Sequence, residues 1–475
     1  MKDNNGKKGI TAILLVLIVL ILGTAGFLVY RVVEGRVTPM DVFSATNSKD
    51  ASMTESGLAD MESSGAALSD TSADEAASGV TGSGAALSGT ASGAASSSNA
   101  AADTTKSAST TASAPAPTTA ATPTPTPDPV SQQSVNDISI QDLSQYRSEM
   151  PADGQEIVGT STSAYTYEQM VKDLYFLSVR YPGLMTYDSL GVTADQRSIM
   201  EAVIGNPQAS RHIVVQYSIH AREYINSLLA MRQLETYLEN VSGGGTFNGR
   251  TYTDLFSNVC IHLLPMANPD GVTVSESGLA GLRRERMQQI VHWCWESDTG
   301  LGRTSQPIEQ YLKTFKANAN GVDLNKNFDI GWSGYTDGVP VPSTDCYKGG
   351  AAASEPETQA ILKAVESNPT VCVIAYHSSG DTIYWNYGTS GDILESDRYL
   401  AESVRNLTGY ALSNSKKYDH TLAGGCADYF VWAKGIPSIT IETGTGNCPL
   451  DISKFAHIWD KNKEVLPLLA SMYGS

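Results

Sequence analysis

Four residues with metal or acid-base chemistry stand at the ends of apolar runs in this chain. HIVVQYSI (212–219) leads into His220, Arg222 and Glu223, TVCVIAY (370–376) into His377, and IPSITI (436–441) into Glu442. Short apolar runs rich in Val and Ile read as buried strands. Two histidines and one carboxylate, with a fourth position open, are the usual ligand set of a catalytic zinc. His220 and Glu223 are three apart, so a tight turn or a first helical turn can aim both at one ion. His377 would close the set from a neighbouring strand. Zinc held this way polarises a carbonyl and brings the pKa of water down to about 7. A base must then take the proton, and Glu442 is placed to do so. Singly these are ordinary features, because HxxE pairs recur by chance and a histidine after a strand is usually a hydrogen-bonded loop residue. The chain has only seven histidines, however, and two of them close matching strands.

The elements that would position these residues can be read from the same pattern. TYEQMVKDLYFLSVRYP (166–182) has apolar residues at helical spacing and stops at a Pro-Gly. SIMEAVIGN (198–206) reads as a strand, and NSLLAMRQLETYLEN (226–240) as an amphipathic helix. VCIHLLPM (259–266) is a strand running into a turn at Asn268-Pro269-Asp270-Gly271. Strands alternating with helices predict an α/β fold whose largely parallel sheet is covered on both faces. Sites in such sheets form beyond the carboxyl ends of strands, so residues distant in sequence would converge on one edge.

The rest of the chain sets the context. A formal net charge of −18 over 475 residues argues against a nucleic-acid partner, which would call for a basic patch. Residues 10–30 carry no charge and include AILLVLIVLIL; as a helix they would be roughly 30 Å long, enough to span a bilayer. Lys2, Lys7 and Lys8 precede this stretch, which predicts a cytoplasmic N-terminus and export of the remainder, although Arg31 and Arg36 on the far side weaken the contrast. Cleavage as a signal peptide near Gly23-Thr24-Ala25-Gly26, giving a secreted protein, is the rival reading. From about Ala45 to Ser131 the chain is Ser, Ala, Thr and Gly, ending in TPTPTPDP, which predicts a disordered tether with a span on the order of 50 Å. The expected organisation is a cytoplasmic stub (1–9), a membrane anchor (10–30), a linker (31–136) and an extracellular catalytic domain (137–475). All six cysteines lie in that domain; an exported chain permits disulfides, while Cys260 and Cys372 in apolar runs suit free buried thiols equally.

Five motifs then occur in order: HARE (220–223), NPDG (268–271), GVDLNKNF (321–328), HSSG (377–380) and GGCADYFVWAKGIPSITIETG (424–444). Together they make the segment from about Tyr165 to Ser475 resemble the metallocarboxypeptidase family typified by carboxypeptidase A. The resemblance implies a mixed eight-stranded sheet with helices on both faces, His220, Glu223 and His377 as zinc ligands, and Glu442 as the catalytic glutamate. It also implies Arg222 as the arginine between the ligands and Asn325 as an asparagine holding the substrate's terminal carboxylate. Lys326 stands where the family has the clamp arginine, supplying charge without the bidentate fork. For the arginine that polarises the scissile carbonyl, FKANA points to Lys316, whereas counting from NPDG points to Arg283. The family's mobile tyrosine falls on His420, with Tyr418 two residues earlier.

HSSGDTIYW and FKANANGVDLN are more similar to the bacterial branch that trims peptidoglycan stem peptides at diaminopimelate, whose members often lack the full arginine clamp. The expected activity is therefore zinc-dependent hydrolysis of peptides, at or near the C-terminus of wall stem peptides. A broad extracellular carboxypeptidase is the alternative, and Ala427, near the position that tunes side-chain preference, argues against selection of basic termini. An inactive wall- or peptide-binding module is a third reading.

Overall fold

The computed structural model describes residues 143–474 apart from Ser163, Asp337 and residues 414–423. The predicted anchor and linker, and both His420 and Tyr418, lie outside the described residues. Among the described residues no helix is long and apolar enough to cross a membrane.

Eight strands form one mixed sheet: β1 (Met185–Val192), β2 (Ser198–Gly205), β3 (His212–Tyr217), β4 (Cys260–Leu264), β5 (Thr370–His377), β6 (Thr382–Tyr384), β7 (Ala411–Ser413) and β8 (Ser438–Glu442). Their spatial order is β1-β2-β4-β3-β5-β8-β6-β7. The central strands β4, β3, β5 and β8 run parallel; β2 is antiparallel to β4 and β1 to β2 on one side, while on the other β6 is antiparallel to β8 and β7 is parallel to β6.

The helices used below are α1 (Tyr167–Arg180), α2 (Ile225–Gly243), α3 (Pro269–Ser277), α4 (Glu285–Gly300), α5 (Pro356–Glu366), α6 (Asp392–Thr408), α7 (Cys426–Lys434), α8 (Phe455–Asn462) and α9 (Val465–Tyr473). Side-chain alternation along the central strands decides which helix covers which face. Ile213, Val215, Tyr217, Cys372, Ile374 and Tyr376 face α1, α2, α6, α8 and α9. Val214 and Val373 point the other way, into α5 and α7. Burial on both faces explains why these strands read as unbroken apolar runs.

α1 starts where its sequence says it should. Thr166 accepts a hydrogen bond from the Gln169 amide, and Met170, Leu174 and Leu177 at helical spacing are all buried. Two other elements differ from their sequence reading. α2 is not amphipathic: Arg232 and Glu235 are buried with its apolar residues, because they pair with each other at 2.6 Å. The Glu235 carboxylate also accepts the amides of Ile157 and Val158, so the N-terminal segment covers the face that was expected to meet solvent. NPDG is not a turn but the start of α3, with Asn268 capping the Gly271 amide and Pro269 in the first helical turn.

A buried ion-pair network locks this α3 junction to the sheet. The Arg197 guanidinium meets Asp195 and, at 3.1 Å, Asp270, and it also donates to the Gly281 carbonyl at 2.8 Å. Removing the cation strands two fully buried carboxylates. Arg197→Met is therefore expected to destabilise the domain by about 3–5 kcal/mol in a denaturant titration, and a loss below about 1 kcal/mol would show that water or relaxation replaces the pair. All six cysteines are unpaired thiols.

Candidate metal centre

The carboxyl ends of β3, β5 and β8 share one edge of the sheet. β8 pairs with β5 in a register that sets Glu442 beside His377, and β3 pairs with β5 through Tyr217 and Tyr376. β3 ends two residues earlier than its apolar run, because Ser218 takes a positive φ of 54° and turns the chain. Ile219 and His220 follow, and Ala221–Glu223 form a single 3₁₀ turn. That turn carries His220 and Glu223 back over the strand ends. Its position is fixed from behind, since Asn268 donates to the Ile219 carbonyl at 3.0 Å and the Ala221 amide donates to the Lys316 carbonyl.

Three side chains converge here. His220 Nδ1 lies 2.9 Å from Glu223 Oε1, His377 Nδ1 lies 3.0 Å from Glu223 Oε2, and the two Nδ1 atoms are 3.1 Å apart. All three residues are buried. Burial alone would push the Glu223 carboxyl up, but His220 and His377 outweigh it and hold it well below the usual range. Two imidazole nitrogens and an ionised carboxylate aimed at one point have the donor chemistry and the crowding of a catalytic zinc site. The residues fit the metal.

The surrounding groups support this cluster. Asp323 Oδ1 lies 3.4 Å from the outer nitrogen of His220, and Asp323 Oδ2 lies 3.1 Å from Lys316 Nζ. Burial would lower the Lys316 ammonium, yet Asp323 and then Glu223 more than offset this and keep it charged. Behind His377, the Ser378 amide donates to Glu223 Oε2, Asn226 donates to Ser378 Oγ, and Thr443 donates back to Asn226. This buried bracket ties the 3₁₀ turn and α2 to β5 and β8.

The cluster opens into a cavity of about 870 Å³. Its wall includes Arg222, Lys316 and Glu442 from the sequence reading, together with Gln306, Gln310, Thr314 and Cys448. Burial pushes the Glu442 carboxyl up to about 7, with His377, Lys316 and Arg222 pulling against it and Glu223 adding to it. Burial likewise pushes the Cys448 thiol up to about 12, so it stays protonated. Arg283 is elsewhere, donating to the Gln196 carbonyl and packed on the Tyr167 ring, so of the two residues weighed for the carbonyl-polarising place only Lys316 reaches the cavity. Asn325 and Lys326 are not on this wall. Asn325 Oδ1 accepts the Cys426 amide at the start of α7, and the Lys326 ammonium sits 5.6 Å from the Tyr335 ring. Asp323 was not singled out from the sequence. It sits inside a motif that was, and only its complete burial beside His220 and Lys316 marks it.

Residues 170–465 match the family model described as zinc carboxypeptidase. The chain belongs to the zinc carboxypeptidase family. This membership makes it a hydrolase whose metal is zinc. A 313-residue stretch, 65% of this zinc carboxypeptidase and 72% of the relative, is 29% identical to gamma-D-glutamyl-L-diamino acid endopeptidase 1 of Lysinibacillus sphaericus. Carboxypeptidase B of Astacus astacus is 26% identical over 307 residues, covering 60% of this chain and 88% of that one. The crystal structure of thrombin activatable fibrinolysis inhibitor shares the fold with a TM-score of 0.50 at 16% identity, covering 70% of this chain and 80% of the other.

Proposed function

We propose that this zinc carboxypeptidase hydrolyses cell-wall stem peptides at or near the diaminopimelate residue. The observation that carries this reading is the similarity to an endopeptidase named for cutting a γ-D-glutamyl–diamino acid bond. One departure supports it. Lys326 replaces the clamp arginine and lies off the cavity wall, while the wall itself carries Arg222 and Lys316. A γ-glutamyl bond leaves the glutamate α-carboxylate free near the scissile carbonyl, and these two cations suit it.

In this reading His220 Nδ1, Glu223 and His377 Nδ1 hold the zinc. When bound, the ion supplies a Lewis acid for the scissile carbonyl. Glu442 takes the proton of the attacking water and passes it to the leaving amine. Lys316 faces the negative charge that builds on the carbonyl oxygen. Arg222 orients the substrate from the cavity wall. Asp323 is a positioning residue that fixes the His220 ring and holds Lys316. Asp323→Asn is expected to weaken zinc binding 10–100-fold, as loss of a supporting partner of a ligand does. Competition with a chromophoric chelator reads this directly, and an unchanged affinity would leave Asp323 no part in holding the metal.

The deciding experiment offers the zinc-loaded full chain diaminopimelate stem peptides and ordinary peptides, each with free and amidated C-termini, and reads products by mass spectrometry. Cleavage of the stem peptides with ordinary peptides largely spared supports the wall reading. Trimming of ordinary peptides with stem peptides intact removes it in favour of a broad carboxypeptidase. Binding of both without turnover would indicate a binding module. The uncharged stretch 10–30 and the Ser/Ala/Thr-rich segment after it support a further part of the proposal, an anchored enzyme held on the wall side of the membrane. External protease should then release the domain from intact cells expressing the full chain, and a domain shielded until lysis would sink that placement.

A further inference from the structure

The amino-terminal end of the sheet, opposite the zinc centre, holds a second convergence of ligand-type side chains. His212 opens β3 and is in register with Cys260, the first residue of β4, and His262 follows on the same face of β4. All three are buried, and β3 alone puts on the order of 17 Å between this cluster and the first one. His212 Nδ1 and His262 Nε2 are 2.8 Å apart, and Cys260 Sγ is 3.6 Å from His262 Nε2.

The outer ring nitrogens settle what the inner ones carry. His212 Nε2 donates to the Ala209 carbonyl at 3.0 Å, and His262 Nδ1 faces the Glu201 carboxylate at 2.9 Å, so each outer nitrogen bears a hydrogen. In neutral rings, His212 Nδ1 and His262 Nε2 are then both bare lone pairs, pointed at each other beside a sulfur. Such a pair is repulsive unless a cation lies between. One outer N–H held by a backbone carbonyl and the other by a carboxylate is the arrangement that orients metal-ligating histidines.

We propose that His212, Cys260 and His262 form a second transition-metal site, taking a zinc-class divalent ion through Nδ1, Sγ and Nε2. A thiolate with two imidazoles is a donor set for zinc or copper, not for magnesium or calcium. With Zn–N near ~2.05 Å and Zn–S near ~2.3 Å, tetrahedral geometry sets N···S at about 3.6 Å and N···N at about 3.3 Å. The sulfur is already at its distance from His262 Nε2. The two nitrogens must part by about half an ångström, the difference between a shared cation and a shared proton. Binding releases the Cys260 thiol proton to solvent as the Zn–S bond forms. The site sits at the end of the sheet away from the substrate cavity, so the ion's place there is structural, clamping β3, β4 and, through Glu201, β2.

Cobalt titration of the purified, metal-stripped full chain tests this. The expected result is two Co²⁺ per chain, one of which brings a thiolate-to-cobalt charge-transfer absorption that the His-Glu-His centre has no sulfur to give. Cys260→Ser should abolish the absorption and one equivalent while retaining the other equivalent and the peptidase activity. His262→Gln, which keeps the thiol, should lose the same equivalent. If either variant fails to fold, the stoichiometry and the absorption of the unmodified chain still decide. A single equivalent without the absorption would overturn the proposal and leave the two imidazoles sharing a proton. An absorption that survives Cys260→Ser would overturn it as well, by assigning the sulfur elsewhere.

Discussion

Glu442→Gln is expected to keep the wild-type zinc content and lose about 10² to 10⁴ in kcat, the usual contribution of a positioned general base. Glutamine preserves the shape of the side chain at the end of β8 but cannot accept a proton. Glu442 stands on the cavity wall outside the His220–Glu223–His377 cluster, and its Oε2 is buried without a hydrogen-bond partner. An acceptor left open beside a polarising cation is what the role requires. The pH profile gives a second readout. Burial moves this carboxyl up to about 7 from an ordinary 4.5, and the charge of bound zinc pulls it back down. The base works ionised, so kcat/KM should rise with pH across an acid limb between those values, and the limb should vanish in the variant. Zinc lost together with activity would instead make Glu442 a ligand.

The location of that acceptor was legible in sequence for a specific reason. Strands buried on both faces are largely apolar, so a chargeable residue directly after the run marks the sheet edge. The parallel register of β3, β5 and β8 then brings those residues together. What sequence could not give was anything decided by packing across the fold. Asp323 looks like any loop acid until its burial between His220 and Lys316 is seen. The polar wall of Gln306, Gln310 and Thr314 comes from a region with no apolar pattern to place it. NPDG misled because Pro, Asp and Gly serve turns and helix starts alike, and only the Asn268 cap on Gly271 separates the two. α2 misled because Arg232 and Glu235 neutralise each other, which makes a charged face fit to bury. The His212–Cys260–His262 cluster was invisible in the same way: Cys260 read equally as a disulfide partner or a free buried thiol, and only the strand register sets it opposite His212.

His377→Ala should abolish zinc binding at the centre and hydrolysis together, a larger and different defect from that of Glu442→Gln. On the proposed assignment His377 is one of three protein ligands, with its Nδ1 at 3.0 Å from Glu223 and 3.1 Å from His220. Removing a supporting residue such as Asp323 leaves three ligands and costs 10–100-fold in affinity, a deficit that added zinc can overcome. Removing His377 leaves a two-ligand site, and moderate excess zinc should not restore turnover. Unfolding can be separated from this outcome, because His377 ends β5 at the sheet edge and its backbone carbonyl, which accepts the Thr443 amide at 2.8 Å, is unchanged by the substitution. The variant should therefore match the metal-stripped parent in circular dichroism and denaturant midpoint. Zinc retained at the centre with only slowed turnover would make His377 a substrate-contacting residue and would require a third ligand from elsewhere on the cavity wall.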